Sequence, residues 1–287
     1  MSEFSYVNGL YVRSSDASVN VEDRGYQFAD GVYEVISVYQ AHLVDRDLHF
    51  DRLNRSLTEL DIPWPCERRV LGVILAKLLK RNGLNNGSVY IQITRGVASR
   101  KHAFPTEQTR SSLVITCNRK GIPSSQDLEN GVSVVTVKEN RWGRRDIKSV
   151  SLLPNVMAKQ YAVENGAFES WFVDDQLTIT EGSSTNAWIV LKGGELVTRP
   201  TGTDILSGIT RLKLIELAQA KNFHVTERPF TVKEALEAEE AFLTSTTSFV
   251  MPVVEIDGKR IGSGIPGPVS EALLQRYREH IIHSAEA

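Results

Sequence analysis

Apolar and polar positions change period several times along the chain, and each change predicts an element. Phe4 to Val7 and Leu10 to Val12 are apolar-rich runs parted by Asn8-Gly9. That dipeptide favours a two-residue hairpin turn, because both positions tolerate positive φ. Asp23 through Gly31 is rich in turn formers and reads as a loop. Val32 to Tyr39 is β-branched and aromatic. Its alternation places Tyr33, Val35 and Ser37 on one face and Glu34 and Ile36 on the other. From Asp47 to Leu60 the period lengthens: Leu48, Leu53, Leu57 and Leu60 are apolar, while Asp51, Arg52, Asn54 and Arg55 are polar. This is an amphipathic helix, stopped by Pro63 and Pro65. Arg69 to Arg81 predicts a second helix, closed by Asn82-Gly83. Ser88 to Thr94 and Leu113 to Cys117 predict strands on either side of a basic loop, Arg95 to Pro105.

Lys120 to Gly131 is polar, carries Gly121, Pro123, Ser124 and Ser125, and reads as a linker. Strands follow at Val132 to Val137, Ser170 to Val173, Leu177 to Thr180, Ala187 to Leu191, Leu196 to Thr198 and Ala241 to Leu243. Val253 to Ile256 pairs with Arg260-Ile261 across Asp257-Gly258. Helices are predicted over Asn155 to Asn165, after Gly208, over Val232 to Ala238 and over Val269 to Ile282. Strands and helices mix without a strict βαβ alternation, which favours an α+β fold over a doubly wound sheet.

Composition narrows the function classes. The chain has 287 residues, enough for one large domain or two modest ones. Its 33 basic and 35 acidic residues leave a net charge of −2, so nothing argues for a nucleic-acid or anionic-membrane partner. No apolar run approaches the ~18 to 20 residues of a membrane span. The opening MSEFSYVNGLYV lacks a basic region followed by an apolar core, so no signal peptide is expected. Cys66 and Cys117 are far apart and have no companions at metal-ligand spacing. A zinc site or disulfide framework is therefore not expected, and the expected compartment is the cytoplasm.

Four segments carry candidate chemistry. Lys148 lies between Ile147 and Val150, at the junction between a strand pattern and a helix pattern. Desolvation by apolar neighbours disfavours an ammonium, which an amine nucleophile or Schiff-base lysine requires, although a solvated lysine at an element end has the same local sequence. Glu181 ends a predicted strand and precedes the hydroxyl-rich turn Gly182-Ser183-Ser184-Thr185-Asn186, well placed to face a ligand or simply to lie on the surface. Leu206-Ser207-Gly208-Ile209-Thr210-Arg211 opens a helix, where unpartnered N–H groups can hold a phosphate, or Ser207 can act as a plain cap. Thr244-Ser245-Thr246-Thr247-Ser248 places five hydroxyls at a strand end, open to a phosphate or to one another. No Walker loop, GxGxxG, HExxH or GxSxG motif is present. A lysine, a carboxylate and a phosphate cradle without magnesium ligands are the requirements of pyridoxal 5′-phosphate.

Together these segments resemble the fold-type IV pyridoxal-phosphate enzymes, and within them the D-amino acid aminotransferases. The resemblance rests on Arg24-Gly25-Tyr26-Gln27-Phe28-Ala29-Asp30-Gly31-Val32-Tyr33-Glu34-Val35, Asp146-Ile147-Lys148-Ser149, Glu181 to Asn186, Gly208 to Arg211 and Thr244 to Thr247, in that order. It implies a smaller N-terminal domain (1–119), a linker (120–130) and a larger domain (131–287), with the cofactor at their interface. It also implies that Lys148 binds the cofactor and shuttles the proton, and that Glu181 keeps the pyridine nitrogen protonated. Arg52, Ile209, Thr210, Ser245 and Thr246 would bind the phosphate, with Ser184, Leu206 and Gly208 beside the cofactor. Tyr33, Val35 and Tyr90 would line the substrate pocket.

The resemblance assigns the substrate class to Arg100-Lys101-His102. An Arg-x-His pair at this place binds the α-carboxylate of a D-amino acid, reaching in from the neighbouring subunit of a homodimer. An arginine fork suits a carboxylate. The implied reaction is transamination between small-molecule D-amino acids and 2-oxo acids. Related activities on this fold are an (R)-amine transaminase, a branched-chain aminotransferase and an aminodeoxychorismate lyase. A non-catalytic vitamer-binding protein would share the cofactor site without turnover.

Overall fold

The computed structural model describes residues 3–106, 109–119 and 125–286. The chain forms two compact units: residues 1–121 with 147–151 and 283–287, and residues 122–146 with 152–282. The architecture is α+β, as the mixed pattern predicts.

The first unit opens with the expected hairpin, β1 (Phe4–Val7) and β2 (Leu10–Arg13), and Asn8 and Gly9 both take positive φ. The segment expected to be a loop, Asp23 to Gly31, instead contains a helical turn, α1 (Arg24–Phe28). The Asp23 carboxylate caps it by accepting from the Gly25 N–H, and Ala29 closes it in the left-handed conformation. After it come β3 (Gly31–Tyr39), β4 (His42–Leu43), α2 (Arg46–Glu59), α3 (Arg68–Asn82), β5 (Gly87–Thr94) and β6 (Ser112–Asn118). Among the described residues these strands form one antiparallel sheet in the order β2-β1-β6-β5-β3-β4. Helices α2 and α3 bury Leu53, Leu57, Leu71, Leu75 and Leu78 against Val32, Ile36, Val89, Ile91 and Ile115 of the sheet. Ile147 joins this core from the segment that carries Lys148.

In the second unit the expected linker is only partly described. Lys120 to Ser124 lie outside the described residues, and Ser125–Asn130 form a short helix, α4. Then follow β7 (Val132–Lys138), α5 (Leu153–Glu164), β8 (Glu169–Val173), β9 (Ile179–Gly182), β10 (Asn186–Val190) and β11 (Leu196–Thr198). The chain continues through α6 (Ile209–Gln219), β12 (Val225–Glu227), α7 (Val232–Glu237), β13 (Glu240–Ser245), β14 (Phe249–Ile256), β15 (Lys259–Arg260) and α8 (Pro268–Glu286). Among the described residues the sheet order is β12-β11-β10-β13-β14-β7-β8-β9, with β15 on β14. The pairs β11/β12, β14/β7 and β7/β8 are parallel, so this sheet is mixed.

Strand β9 starts two residues later than its apolar pattern suggests. The Asp174 carboxylate accepts the N–H groups of Gln176 and Thr178, holding Leu177 in a turn at φ 60°. Glu181 therefore lies within the strand rather than at its end. Trp188 and Phe242 are directly opposed on β10 and β13 and stack at 5.3 Å, an aromatic cross-strand pair inside the core.

Candidate active site

Lys148 owes its position to an incomplete sheet edge. Strand β4 pairs only with Val38 and Tyr39, leaving the Gly31–Tyr33 end of β3 open. Residues 148–150 fill that gap: the Tyr33 N–H donates to the Lys148 carbonyl at 2.9 Å, and the Val150 N–H donates to the Gly31 carbonyl at 3.0 Å. On its other side the Lys148 N–H donates to Ser56 Oγ of α2 at 3.2 Å. The lysine backbone is thus held from both directions, and Ile147 anchors it in the core. Its Nζ lies 4.2 Å from the centroid of the Tyr33 ring.

Sheet register groups the other expected pocket residues of this unit. Val35 stands opposite Tyr90, and Tyr33 opposite Gln92. The Tyr33 and Tyr90 rings meet at 5.6 Å, and the Tyr90 hydroxyl donates to Gln92 Oε1 at 2.7 Å. Burial, with Tyr33 adding to it, pushes the Tyr90 phenol up to about 12, so it stays a neutral donor.

The opposite face of β3 carries Glu34, fully buried. Arg52 of α2 grips it bidentately, Nε to Oε1 at 2.7 Å and Nη2 to Oε2 at 2.8 Å. His49 adds Nδ1 to Oε2 at 2.8 Å. Burial alone would raise the Glu34 carboxyl, but Arg52 and then His49 overcome it and hold the group at about 2. Burial pushes the His49 imidazole below its usual range, so it is neutral and donates its Nδ1–H. Arg52 was expected at the phosphate, and its guanidinium plane is fixed by Glu34. The loop side chains Arg100 and His102 are exposed, and their ring contacts within the chain are with Phe28, at 5.1 and 5.4 Å. They are not brought against Tyr33 or Tyr90 by any ring contact among the described residues.

In the second unit Glu181 is the centre of a second buried network. Arg141 Nη1 lies 2.6 Å from its Oε1. Its Oε2 accepts the Leu206 N–H at 3.0 Å and Asn186 Nδ2 at 3.2 Å. Burial pushes this carboxyl above its usual range, opposed by the Arg141 guanidinium and the Leu206 N–H. Arg141 is itself held by Glu139, Nη2 to Oε2 at 2.7 Å, and lies over the Phe172 ring at 4.2 Å.

The helix start at Gly208 is open. Gly208 is the N-cap of α6 and supplies no side-chain cap, and the first helical bond runs from the Leu212 N–H to the Gly208 carbonyl. The N–H groups of Ile209, Thr210 and Arg211 therefore have no partner within the helix, which suits an anion. A Cβ on Gly208 would come within 2.0 Å of Asn186 Oδ1, so this approach requires glycine. Such a cradle fits a phosphate ester, as the buried, cation-held Glu181 fits a protonated ring nitrogen.

The neighbouring hydroxyls are less open than their sequence suggests. Thr244 is buried in β13 and accepts from Trp188 Nε1 at 3.0 Å. The row of five thus shortens to residues 245–248, where Ser245 Oγ accepts the Ser248 N–H at 3.0 Å and Thr246 is half-buried. Thr210 Oγ1 lies 3.3 Å from the Tyr277 hydroxyl. Ser184 Oγ donates to the buried Glu169 at 2.9 Å, which shapes the turn after β9.

Several of these partners escaped the sequence reading. Glu34 alternates with Ile36 on the buried face of β3, and a carboxylate there demands a cation. His49 and Arg52, one turn apart on α2, are the signal that was available. Arg141 carries no such signal, because its pairing with Glu181 spans 40 residues, and Asn186 stands in the turn motif after Glu181 with nothing in its type to say that it pairs with that carboxylate.

Comparison with known proteins bears on this geometry. A model of the amino-transferase class IV family matches residues 31–256. The D-alanine aminotransferase of Bacillus licheniformis is 42% identical over 275 residues, covering 96% of this chain and 96% of that protein. That of Staphylococcus haemolyticus is 39% identical over 276 residues, covering 96% and 97%. A solved branched-chain amino acid aminotransferase of Escherichia coli superposes with a TM-score of 0.90 at 24% identity, covering 98% of this chain and 95% of that one. At that identity the likeness concerns the fold, which is that of the fold-type IV enzymes.

Proposed function

The chain belongs to the class IV aminotransferases, pyridoxal-phosphate-dependent enzymes, and we propose that it moves amino groups between D-amino acids and 2-oxo acids, of the type D-alanine plus 2-oxoglutarate to pyruvate plus D-glutamate. The observation that carries this reading is Lys148, pinned on both sides of its backbone with Nζ 4.2 Å from the Tyr33 ring centroid. Bound pyridoxal phosphate supplies the aldehyde that receives the amino group and a ring that accepts the electrons of the breaking Cα–H bond.

The remaining roles fall to the chain's own residues. Lys148 Nζ holds the cofactor and then takes the α-proton of the substrate. Glu181, whose ionised form Arg141 favours against burial, faces the pyridine nitrogen. Arg52, the N–H groups of Ile209 and Thr210, Ser245 and Thr246 hold the phosphate, with Ser184, Leu206 and Gly208 around the cofactor. Arg100 and His102 bind the substrate carboxylate with Tyr33, while Val35 and Tyr90 line the pocket. Fixing the carboxylate on one side decides which hydrogen faces Lys148, and so decides D over L.

The working unit in this reading is a homodimer. Leu153, Val156, Met157 and Tyr161, at i, i+3, i+4 and i+8, form an exposed apolar stripe on α5. The stripe suits a second copy of the chain, whose Arg100 and His102 would complete the pocket. A cytoplasmic location suits a chain with two cysteines and no disulfide framework in its sequence. No described helix is long and apolar enough to cross a membrane.

A panel of D-amino acids, L-amino acids and (R)-amines with pyruvate or 2-oxoglutarate, read by chiral chromatography, tests the substrate class. D-alanine should be consumed and D-glutamate formed. Turnover confined to L-amino acids or to amines lacking a carboxylate overturns the reading. Borohydride reduction followed by peptide mapping should place the pyridoxyl label on Lys148.

A further inference from the structure

Residues 99–104, which include Arg100 and His102, are irregular and their side chains are exposed, yet a buried side chain takes up three of their backbone carbonyls. Arg24, on α1, is 3% exposed. Its Nη1 donates to the Lys101 carbonyl at 2.6 Å and the Ala103 carbonyl at 3.4 Å, and its Nη2 to the His102 carbonyl at 3.3 Å. One guanidinium thus takes three successive carbonyls. Its Nε is fixed by Asp30 Oδ2 at 2.7 Å.

Asp30 is held in turn by Arg95, Nε to Oδ2 at 2.8 Å and Nη2 to Oδ1 at 3.1 Å. Arg95 also donates to the carbonyls of Leu60 and Asp61, and its guanidinium lies 3.6 Å from the Phe104 ring centroid. Phe28, one turn after Arg24, receives Arg24 at 4.8 Å, Arg100 at 5.1 Å and the His102 ring at 5.4 Å. Residues 100–104 are therefore clasped by Arg24, Asp30, Arg95 and Phe28. This clasp takes up the carbonyls and leaves the side chains at 100 and 102 exposed.

We propose that Arg24 is a positioning residue for carboxylate recognition: by binding the carbonyls of residues 101–103 it presents Arg100 and His102 as a preorganised pair. The inference rests on the reading that these two side chains hold the substrate carboxylate. A loop already held in shape loses less freedom when it binds, and misplacement of a recognising group by about 1 Å can cost about 100-fold. Only a planar fork reaches three carbonyls at once, so lysine at position 24 keeps the charge beside Asp30 but loses the clasp.

The test compares a carboxylate substrate with a carboxylate-free amine on the holoenzyme. Arg24→Lys should raise KM for D-alanine by about 10- to 100-fold. The rate at which hydroxylamine bleaches the bound cofactor should stay within about twofold. Trypsin should cut faster after Arg100 and Lys101. Combined with Arg100→Ala, Arg24→Lys should raise KM by less than it does alone, because part of its effect runs through Arg100 and only the part through His102 remains. Asp30→Asn, which weakens the Nε anchor of Arg24 and the hold on Arg95 but leaves the guanidinium that takes the carbonyls, should give a weaker version of the same split.

An unchanged KM in Arg24→Lys, an equal change toward hydroxylamine, or multiplying effects in the double variant overturns the inference. Failure of both Arg24→Lys and Asp30→Asn to fold would make the cluster purely structural and overturn it as well. If Arg100→Ala alone leaves KM for D-alanine untouched, the carboxylate reading itself falls and takes this inference with it. If Arg100→Ala raises KM and Arg24→Lys does not, only the inference falls.

Discussion

Arg141 and Glu181 form an ion pair 2.6 Å long in which both side chains are almost completely buried. Burial works against the ionised carboxylate, and Arg141 is the cation that opposes it. Arg141 can hold that place because Glu139 neutralises its other edge. In the proposed site a pyridine nitrogen facing Glu181 would meet a carboxylate whose ionised form Arg141 favours.

Arg141→Gln removes that cation and leaves Glu181 buried without it. The carboxyl then rises further, which disfavours the ionised form that the proposed site uses beside a protonated ring. kcat should fall at least about tenfold, equivalent to ~1.4 kcal/mol of barrier. The acid limb of the kcat profile should also move to higher pH, which steady-state assays across the pH range would check.

Gly208→Ala tests the anion cradle. The added methyl meets Asn186 Oδ1 at 2.0 Å, and Asn186 also donates to Glu181 and to the Leu206 carbonyl. Moving Asn186 disturbs Glu181 as well as the helix start, the two places where the proposed site would hold the cofactor. Absorbance titration of the apoenzyme with pyridoxal phosphate should show Kd raised by about tenfold or more, ~1.4 kcal/mol.

Acid stability should follow Glu34 and His49. The folded-state value of Glu34 is lowered from 4.5 to about 2, so the unfolded chain takes up the proton first. The stability that Glu34 contributes is complete above 4.5 and is lost as the pH falls toward about 2. His49 is also lowered from 6.5, so it withdraws stability earlier, as the pH drops below 6.5. Glu34→Gln leaves Arg52 buried without its carboxylate and should cost about 3 to 5 kcal/mol near neutral pH. Denaturant melts of both proteins should show that gap closing between pH 4.5 and 2.

Met157→Glu, on the exposed stripe of α5, places a charge where the proposed second copy would pack. Light scattering should show the mass of the particle halved. D-alanine turnover should fall with it, since Arg100 and His102 would no longer reach a neighbouring pocket. A dimer of unchanged mass and activity would place the contact elsewhere.

Local chemistry made much of this protein legible in its sequence. Asn8-Gly9 defines the first hairpin, alternation defines the two faces of β3, and leucine spacing defines α2, because these patterns act over a few residues. Lys148, Glu181 and the helix start at Gly208 could be named as candidates because each belongs to a short motif. The sequence did not reveal that Asp23 caps a helical turn, or that Thr244 points into the core toward Trp188. Nor did it reveal the partners that charged groups find once buried: Glu34 with Arg52, Glu181 with Arg141, and Arg24 with the carbonyls of a loop 77 to 79 residues away. Those pairings follow from which face of each element loses its water, and only the packed sheets and helices decide that. A buried charge must find an opposite charge or a dipole, but the chain's order does not say which one will be within reach.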